Sequence, residues 1–256
     1  MCIKECQAKQ GLRCDSKIWW YWNANLRAER RFRSLNPVSG KKEPVPYMVN
    51  HSETVTEHIG QMLDFCDGLF SELPRLHDIF DKEFIKNLIL LHEAEETVNG
   101  DMSWGEKLKR YGQHTIGSAE NGETRKSKKE DIKYSLNALF DDDTSVEFWT
   151  DWVDDFDNWK HSGRPETLLV KFMDIYIGNR TVLRHGNDLD IYGDEQIVVV
   201  GERYGLVMDK LFASPLIQQF PEIFQYLQYR FVIPQIREYE QHGLKIHYHP
   251  RIYTYG

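Results

Sequence analysis

The chain has 256 residues, 41% of them apolar and 28% charged, a composition that excludes a disordered or fibrous protein and leaves ample length for a buried core. Its formal net charge of −8 argues against sequence-independent binding to a polyanion such as duplex DNA, which needs many Lys and Arg contacts to phosphate. No run of eighteen apolar residues occurs, so no membrane partner is expected, whereas a small anionic substrate is compatible with a local basic patch or a metal.

The first ten residues, MCIKECQAKQ, are polar and lack the apolar stretch of a secretory signal. Cys2, Cys6, Cys14 and Cys66 are unevenly spaced, which predicts reduced intracellular thiols and a cytoplasmic protein rather than a disulfide framework. Cys2, Cys6 and Cys14 match no standard zinc spacing. Residues 1–17 therefore read as a flexible N-terminal segment, residues 18–240 as one mainly helical domain, and residues 241–256 as a tail.

Lys17–Leu35 predicts a helix with Trp19, Trp22 and Leu26 on one side and Arg27, Arg30, Arg31 and Arg33 on the other. Asn36–Asn50, with three prolines and a Gly-Lys-Lys turn, reads as a loop. Thr54-Val-Thr-Glu57 has the form of a capping box, and Val55, Ile59, Met62, Cys66 and Leu69 follow at helical spacing, with His58 on the same core-facing side. Phe84–Val98 predicts an apolar helix stopped by Gly100, and the overlapping stretch Leu88–Asp101 places one imidazole and four carboxylates close together.

Lys107–Glu130 is rich in Gly, Lys, Ser and Glu and reads as a long exposed loop. Helices are expected over Glu130–Phe140, Ser145–Lys160 and Glu166–His185, with a polar turn at Gly186–Gly193. Ile197–Val200 fits a strand or a helix start. Phe212–Tyr239 reads as one or two helices broken near Pro221 and Pro234, and His247–Tyr255 as an aromatic tail that packs down or meets a partner. The fold class is all-α.

Four positions on these helices bear chemistry. Asp174 lies inside the nearly continuous apolar run LLVKFMDIYIG, and a buried carboxylate is costly unless a cation pairs with it. His58 and His92 offer neutral nitrogen donors on apolar faces, and Glu93 follows His92 directly. Two imidazoles with carboxylates suit one divalent transition metal, manganese, iron, cobalt or zinc, rather than calcium. Each residue also has an ordinary reading. A histidine on an apolar face can be a core residue hydrogen-bonded to backbone, Glu95 a solvated helix residue, and Asp101 a cap after Gly100. Lys171 or Arg180 can neutralise Asp174 as a salt bridge.

The order His, His-acid, Asp resembles the HD superfamily of metal-dependent phosphohydrolases, and the surrounding residues resemble its 5′-deoxynucleotidase branch. ETVTEH ending at His58 is similar to the branch's first-histidine motif. LLHEAEETVNGD resembles LxHDxxExxxGD at His92, Glu96, Gly100 and Asp101. RKSKKEDIKYSLNAL resembles the Lys/Glu-rich helix that follows, and GRPETLLVKFMDIYIGN resembles xPEAxxVKxxDKLE at Pro165, Glu166, Val170, Lys171 and Asp174. The resemblance spans residues 27–185.

The resemblance implies a compact helical HD domain that hydrolyses a (deoxy)nucleoside 5′-monophosphate, and that is able to form a homodimer. It implies His58, His92, Glu93 and Asp174 as metal ligands and Glu96 as the residue that steers the attacking water. Asp101 would act at the substrate's phosphate end or the leaving oxygen. Lys171 and an upstream arginine, Arg33 among Arg27, Arg30, Arg31 and Arg33, would meet the substrate. Two departures stand out: glutamate at position 93 where the family has aspartate, and a long insertion between Trp104 and Arg125. Alternative readings are a nucleoside triphosphate hydrolase on the same fold, a di-iron oxygenase drawing on His114 and His161, and a catalytically impaired nucleotide-binding protein. In the last of these, Trp149, Trp152 and Trp159 would form partner surfaces.

Overall fold

A helix needs its first amide groups satisfied, and Thr54 and Glu57 do this reciprocally at the start of α1 (Val55–Glu72): Thr54 Oγ1 accepts from the Glu57 amide and Glu57 Oε2 accepts from the Thr54 amide. A computed structural model of the chain describes residues 31, 33–35, 38–39, 41–44, 53–99, 122–185, 195–243, 246, 248 and 250. The fold is all-α. The helices after α1 are α2 (Leu76–Ile79), α3 (Lys82–Leu91), α4 (Glu96–Asn99), α5 (Gly122–Asn137), α6 (Asp143–Asp157) and α7 (Pro165–His185). They are followed by α8 (Glu195–Phe212), α9 (Pro215–Gln218), α10 (Pro221–Leu227) and α11 (Ile233–Gln241). Among the described residues no helix is long and apolar enough to cross a membrane.

Helix α7 is the hub. Leu168, Leu169, Val170, Phe172, Met173 and Ile177 are all buried, so most of its circumference is apolar, as befits a helix surrounded by others. It packs against α1, α3, α6, α8 and α11. Helix α1 turns Val55, Ile59, Met62, Cys66 and Leu69 toward α3 and α7, and each such side chain contributes up to roughly 1.5–3 kcal/mol by leaving water. The centre of the bundle is therefore α1, α3 and α7, which carry His58, the approach to His92, and Asp174.

Several elements differ from the expectation. Arg33–Leu35 is not helical; it forms strand β1, paired antiparallel with β2 (Lys42–Pro44), with Arg33 opposite Pro44. Backbone pairing across the intervening turn overrides the helical pattern there, and the rest of Lys17–Leu35 except Arg31 lies outside the described residues, as does residues 1–16. The apolar helix ends at Leu91 rather than Val98. From there Ala94 and, in the short α4, Glu96, Thr97 and Val98 donate their amides three residues back, in place of the α-helical four. Helix α5 starts at Gly122, within the stretch expected to be loop, and Lys128 on it is buried.

Ile197–Val200 lies inside α8. Pro221 starts α10, and Pro234 does not interrupt the helix but sits just after a π turn, Gln228–Val232, at the beginning of α11. Trp149 and Trp159 belong to the core, at 0% and 7% exposure, not to an external surface. Of the tail, Ile246 is buried and the Tyr248 hydroxyl donates to Gln228 Oε1 at 2.8 Å; Gly186–Gly193 and Arg251–Gly256 lie outside the described residues.

Because the box at Thr54 closes the end of α1 from which His58 projects, Thr54→Ala is expected to cost about 1 kcal/mol of folding stability, measurable as a lower urea midpoint at unchanged slope.

Candidate metal centre

His58 is completed by α1, one turn in from its cap, and is fully buried. Its Nε2 lies 3.2 Å from Oδ1 of Asp174, in the middle of α7 and 116 residues later in the chain. His92 follows the last residue of α3 and is also fully buried, its ring 6.0 Å from that of His58 between centroids. Glu93 Oε1 lies 3.4 Å from His92 Nε2. One ligand atom from each of His58, His92, Glu93 and Asp174 falls within 4.8 Å of the others. Donors bound at about 2.1 Å to one ion stand roughly 3–4 Å apart, so the four side chains could hold a metal ion with small adjustments.

The hydrogen bonding fits that role. His92 Nδ1 is 2.6 Å from the carbonyl oxygen of Ile89, and a carbonyl only accepts, so Nδ1 carries the proton. His92 Nε2 is then a bare lone pair; it is buried and has no hydrogen-bond partner among the described residues. It faces a carboxylate, and two acceptors in contact need a cation between them, either a proton or a metal. His58 Nδ1 is likewise buried without a hydrogen-bond partner among the described residues.

The electrostatics divide the two imidazoles. Burial, reinforced by the Arg31 guanidinium, holds His58 below its ordinary pKa despite the hydrogen bond to Asp174. Burial also disfavours charge on His92, but the Glu93 carboxylate outweighs it and the pKa is raised. Asp174 is opposed by burial too, yet the Lys171 ammonium and the two histidines hold its carboxyl well below the usual range. The Asp174 carboxylate is therefore available as an anion beside two nitrogen donors.

The remaining expected site residues are placed as follows. Glu96 is buried in the first turn of α4 and is not one of the four that converge. Lys171 donates from Nζ to Asp174 Oδ2 at 2.8 Å, the salt bridge anticipated as its ordinary role. Arg33 lies in β1. Arg31, by contrast, reaches the site's edge: its Nη1 is 3.7 Å from Glu53 Oε2, and its guanidinium lies against Gly178, one turn past Asp174. Asp101, Gly100, Arg27, Arg30 and His114 lie outside the described residues, and His161 is exposed in the 3₁₀ turn Trp159–His161.

Glu95 corrects the expectation of a solvated side chain. It is fully buried, with Oε1 3.6 Å from Lys128 Nζ, which in turn lies 2.6 Å from Asp157 Oδ2. A neighbouring bridge joins Thr97 Oγ1 to Ser135 Oγ at 2.5 Å, so α5 grips the stretch after His92 at two points. Phe156 was also not anticipated as part of the site: its ring and that of His92 meet in a T-shaped contact at 5.0 Å between centroids. Only its core spacing with Trp149 and Val153 was visible in sequence, which marks burial and not the partner.

Comparison of the chain with protein-family models, with curated proteins and with solved structures returned no match.

The Lys128 network yields a stability test. Lys128→Met would leave the buried Glu95 and the half-buried Asp157 without their shared cation, and a loss of about 3–5 kcal/mol is expected. Lys129→Met, which breaks an exposed pair with Asp151, should cost under about 1 kcal/mol. Urea denaturation of the two variants gives the comparison.

Proposed function

We propose that the protein is a metal-dependent phosphohydrolase of the HD type that releases phosphate from a (deoxy)nucleoside 5′-monophosphate. The observation that carries this reading is the convergence of His58, of the adjacent pair His92 and Glu93, and of Asp174 on one point from separate parts of the chain. The resemblance of the surrounding motifs to the 5′-deoxynucleotidase branch supplies the substrate class.

His58, His92, Glu93 and Asp174 would hold one divalent transition metal, with manganese, cobalt, iron and zinc all suited to the donor set. Such an ion polarises a phosphate oxygen and lowers the pKa of bound water. Glu96, buried just beyond the ligand pair, orients the attacking water and takes its proton. Arg31 holds the substrate's anionic end, a role supported by its guanidinium lying against Gly178, one turn past Asp174. Asp101 serves the leaving oxygen.

Water is the nucleophile in this scheme. Cys66, the free cysteine among the described residues, is buried on α1 and its thiol is pushed up to about 12 by that burial, so it supplies no thiolate. The reading in which the domain keeps only a scaffolding role, prompted by Glu93, would make Trp149, Trp152 and Trp159 a partner surface; of these, Trp149 and Trp159 are core residues.

The test is direct. The purified protein is expected to carry one transition metal per chain and to release inorganic phosphate from deoxynucleoside monophosphates, and a chelator should abolish the release. Pyrophosphate or triphosphate release from nucleoside triphosphates would instead identify the triphosphate hydrolase. Failure of the wild type to bind manganese or cobalt, with no phosphate released in their presence, would sink the enzyme reading.

Variants assign the roles. His92→Ala and Asp174→Ala should each lose the metal. Glu96→Ala should retain it and lose turnover by roughly 10²-fold or more; retained turnover would refute the water-steering role. Glu93→Asp shortens the ligand by one methylene, and manganese affinity measured by titration is expected to fall by about tenfold, because the site is arranged around the longer side chain.

A further inference from the structure

Asp174 divides its two oxygens between different partners. Oδ1 faces His58 Nε2 at 3.2 Å, on the side of the four converging ligands, while Oδ2 accepts from Lys171 Nζ at 2.8 Å. Lys171 is three residues earlier on the same helix, so its reach to Oδ2 is set by α7 itself. Its ammonium also lies 4.4 Å from the centre of the Phe156 ring, the ring in T-shaped contact with His92. One buried phenylalanine therefore supports both an imidazole ligand and the lysine that holds a carboxylate ligand.

An ammonium committed to Oδ2 and seated on an aromatic face is poorly placed to be the substrate's phosphate partner. It is well placed to decide which oxygen of Asp174 faces the ion. A carboxylate with both oxygens free can bind a metal through one or through both; a donor fixed on one oxygen leaves the other as the single ligand atom. We propose that Lys171 is a positioning residue that keeps Asp174 a one-oxygen ligand, with Phe156 as the shelf that holds the lysine in place. This inference rests on the reading that the four side chains bind a metal, and it reassigns Lys171 from the substrate to the ligand's outer support.

The experiment uses Co(II) as the probe, titrated into the full chain and followed by visible absorption and by binding isotherm, with wild type, Lys171→Met and Lys171→Arg compared. Wild type must first bind Co(II); if it does not, the metal reading itself fails. In Lys171→Met both oxygens of Asp174 become available, so the ion gains a ligand atom, and its visible absorption is expected to weaken toward that of a more highly coordinated site. Affinity should fall by about tenfold, the usual effect of removing an outer partner of a ligand. Lys171→Arg keeps a cationic donor above Phe156 and should retain the wild-type spectrum, which also guards against a Met variant that does not fold. An unchanged spectrum in Lys171→Met would overturn the proposal whatever happens to affinity, since loss of charge or packing alone would not alter coordination. A spectrum in Lys171→Arg shifted away from wild type would overturn it as well.

Discussion

The candidate centre depends on one short hydrogen bond, from the His92 ring to the carbonyl of Ile89. A helix leaves its last carbonyls without amide partners, and here the imidazole of the residue just past the end takes one of them. That contact anchors the ring to its own helix, and it selects the tautomer with the lone pair on Nε2. In the neutral ring, Nε2 presents an acceptor to the Glu93 carboxylate at 3.4 Å. The charge pattern around a buried acceptor of this kind calls for a cation, and the fold supplies two carboxylates to balance one.

The surrounding ion pairs follow from the same economy of charge. A buried or half-buried acid gains from a neighbour of opposite sign, and three of them here have one. Lys171 meets Asp174 from within α7, Arg31 meets Glu53 at the start of α1, and Lys128 meets Glu95 from α5. These pairs do little for net stability, because desolvation offsets much of the Coulomb gain. What they do is fix geometry: each cation restrains the carboxylate it pairs with, Asp174 among them being one of the four converging side chains. Helix α5 has a further role, since its grip on Glu95 and Thr97 holds down a stretch of irregular turns that lacks a helix's own ladder of hydrogen bonds.

What was legible in the sequence was whatever depends on a local period. The capping box at Thr54, the apolar stripe of α1 and the apolar run of α7 are read from residues a few positions apart, and their helices stand where expected. The four ligand candidates were also visible, because acids and imidazoles on apolar faces are conspicuous. Features set by contacts between distant segments were hidden. Glu95 sits in an acidic string, EAEE, that looks solvated until Lys128 arrives from a segment whose Gly and Lys content conceals a helix. The end of α3 at Leu91 was equally hidden: Val98 and Leu91 belong to one apolar pattern, and the shift to three-back amide bonds and the bond between the His92 ring and Ile89 are seen only in the folded chain. β1 escaped for the same reason, since a strand is defined by its partner.

The glutamate at position 93 is best understood through that early helix end. Two consecutive residues on a regular α-helix point about 100° apart, so a short acid beside His92 would have to turn back toward the ring at the expense of its rotamer. The chain here leaves the α-helical path at Leu91, and the turn geometry from His92 to Glu95 sets where the next side chain starts. Glutamate has one more rotatable bond than aspartate, and its Oε1 reaches the side of His92 Nε2 with the carboxylate mostly sheltered, at 12% side-chain exposure. The extra methylene that looks like a departure in the motif is, in the folded chain, the length that spans from this backbone to the site. Where the Glu93 carboxylate lies is thus set jointly by the side chain's length and by the backbone that carries it.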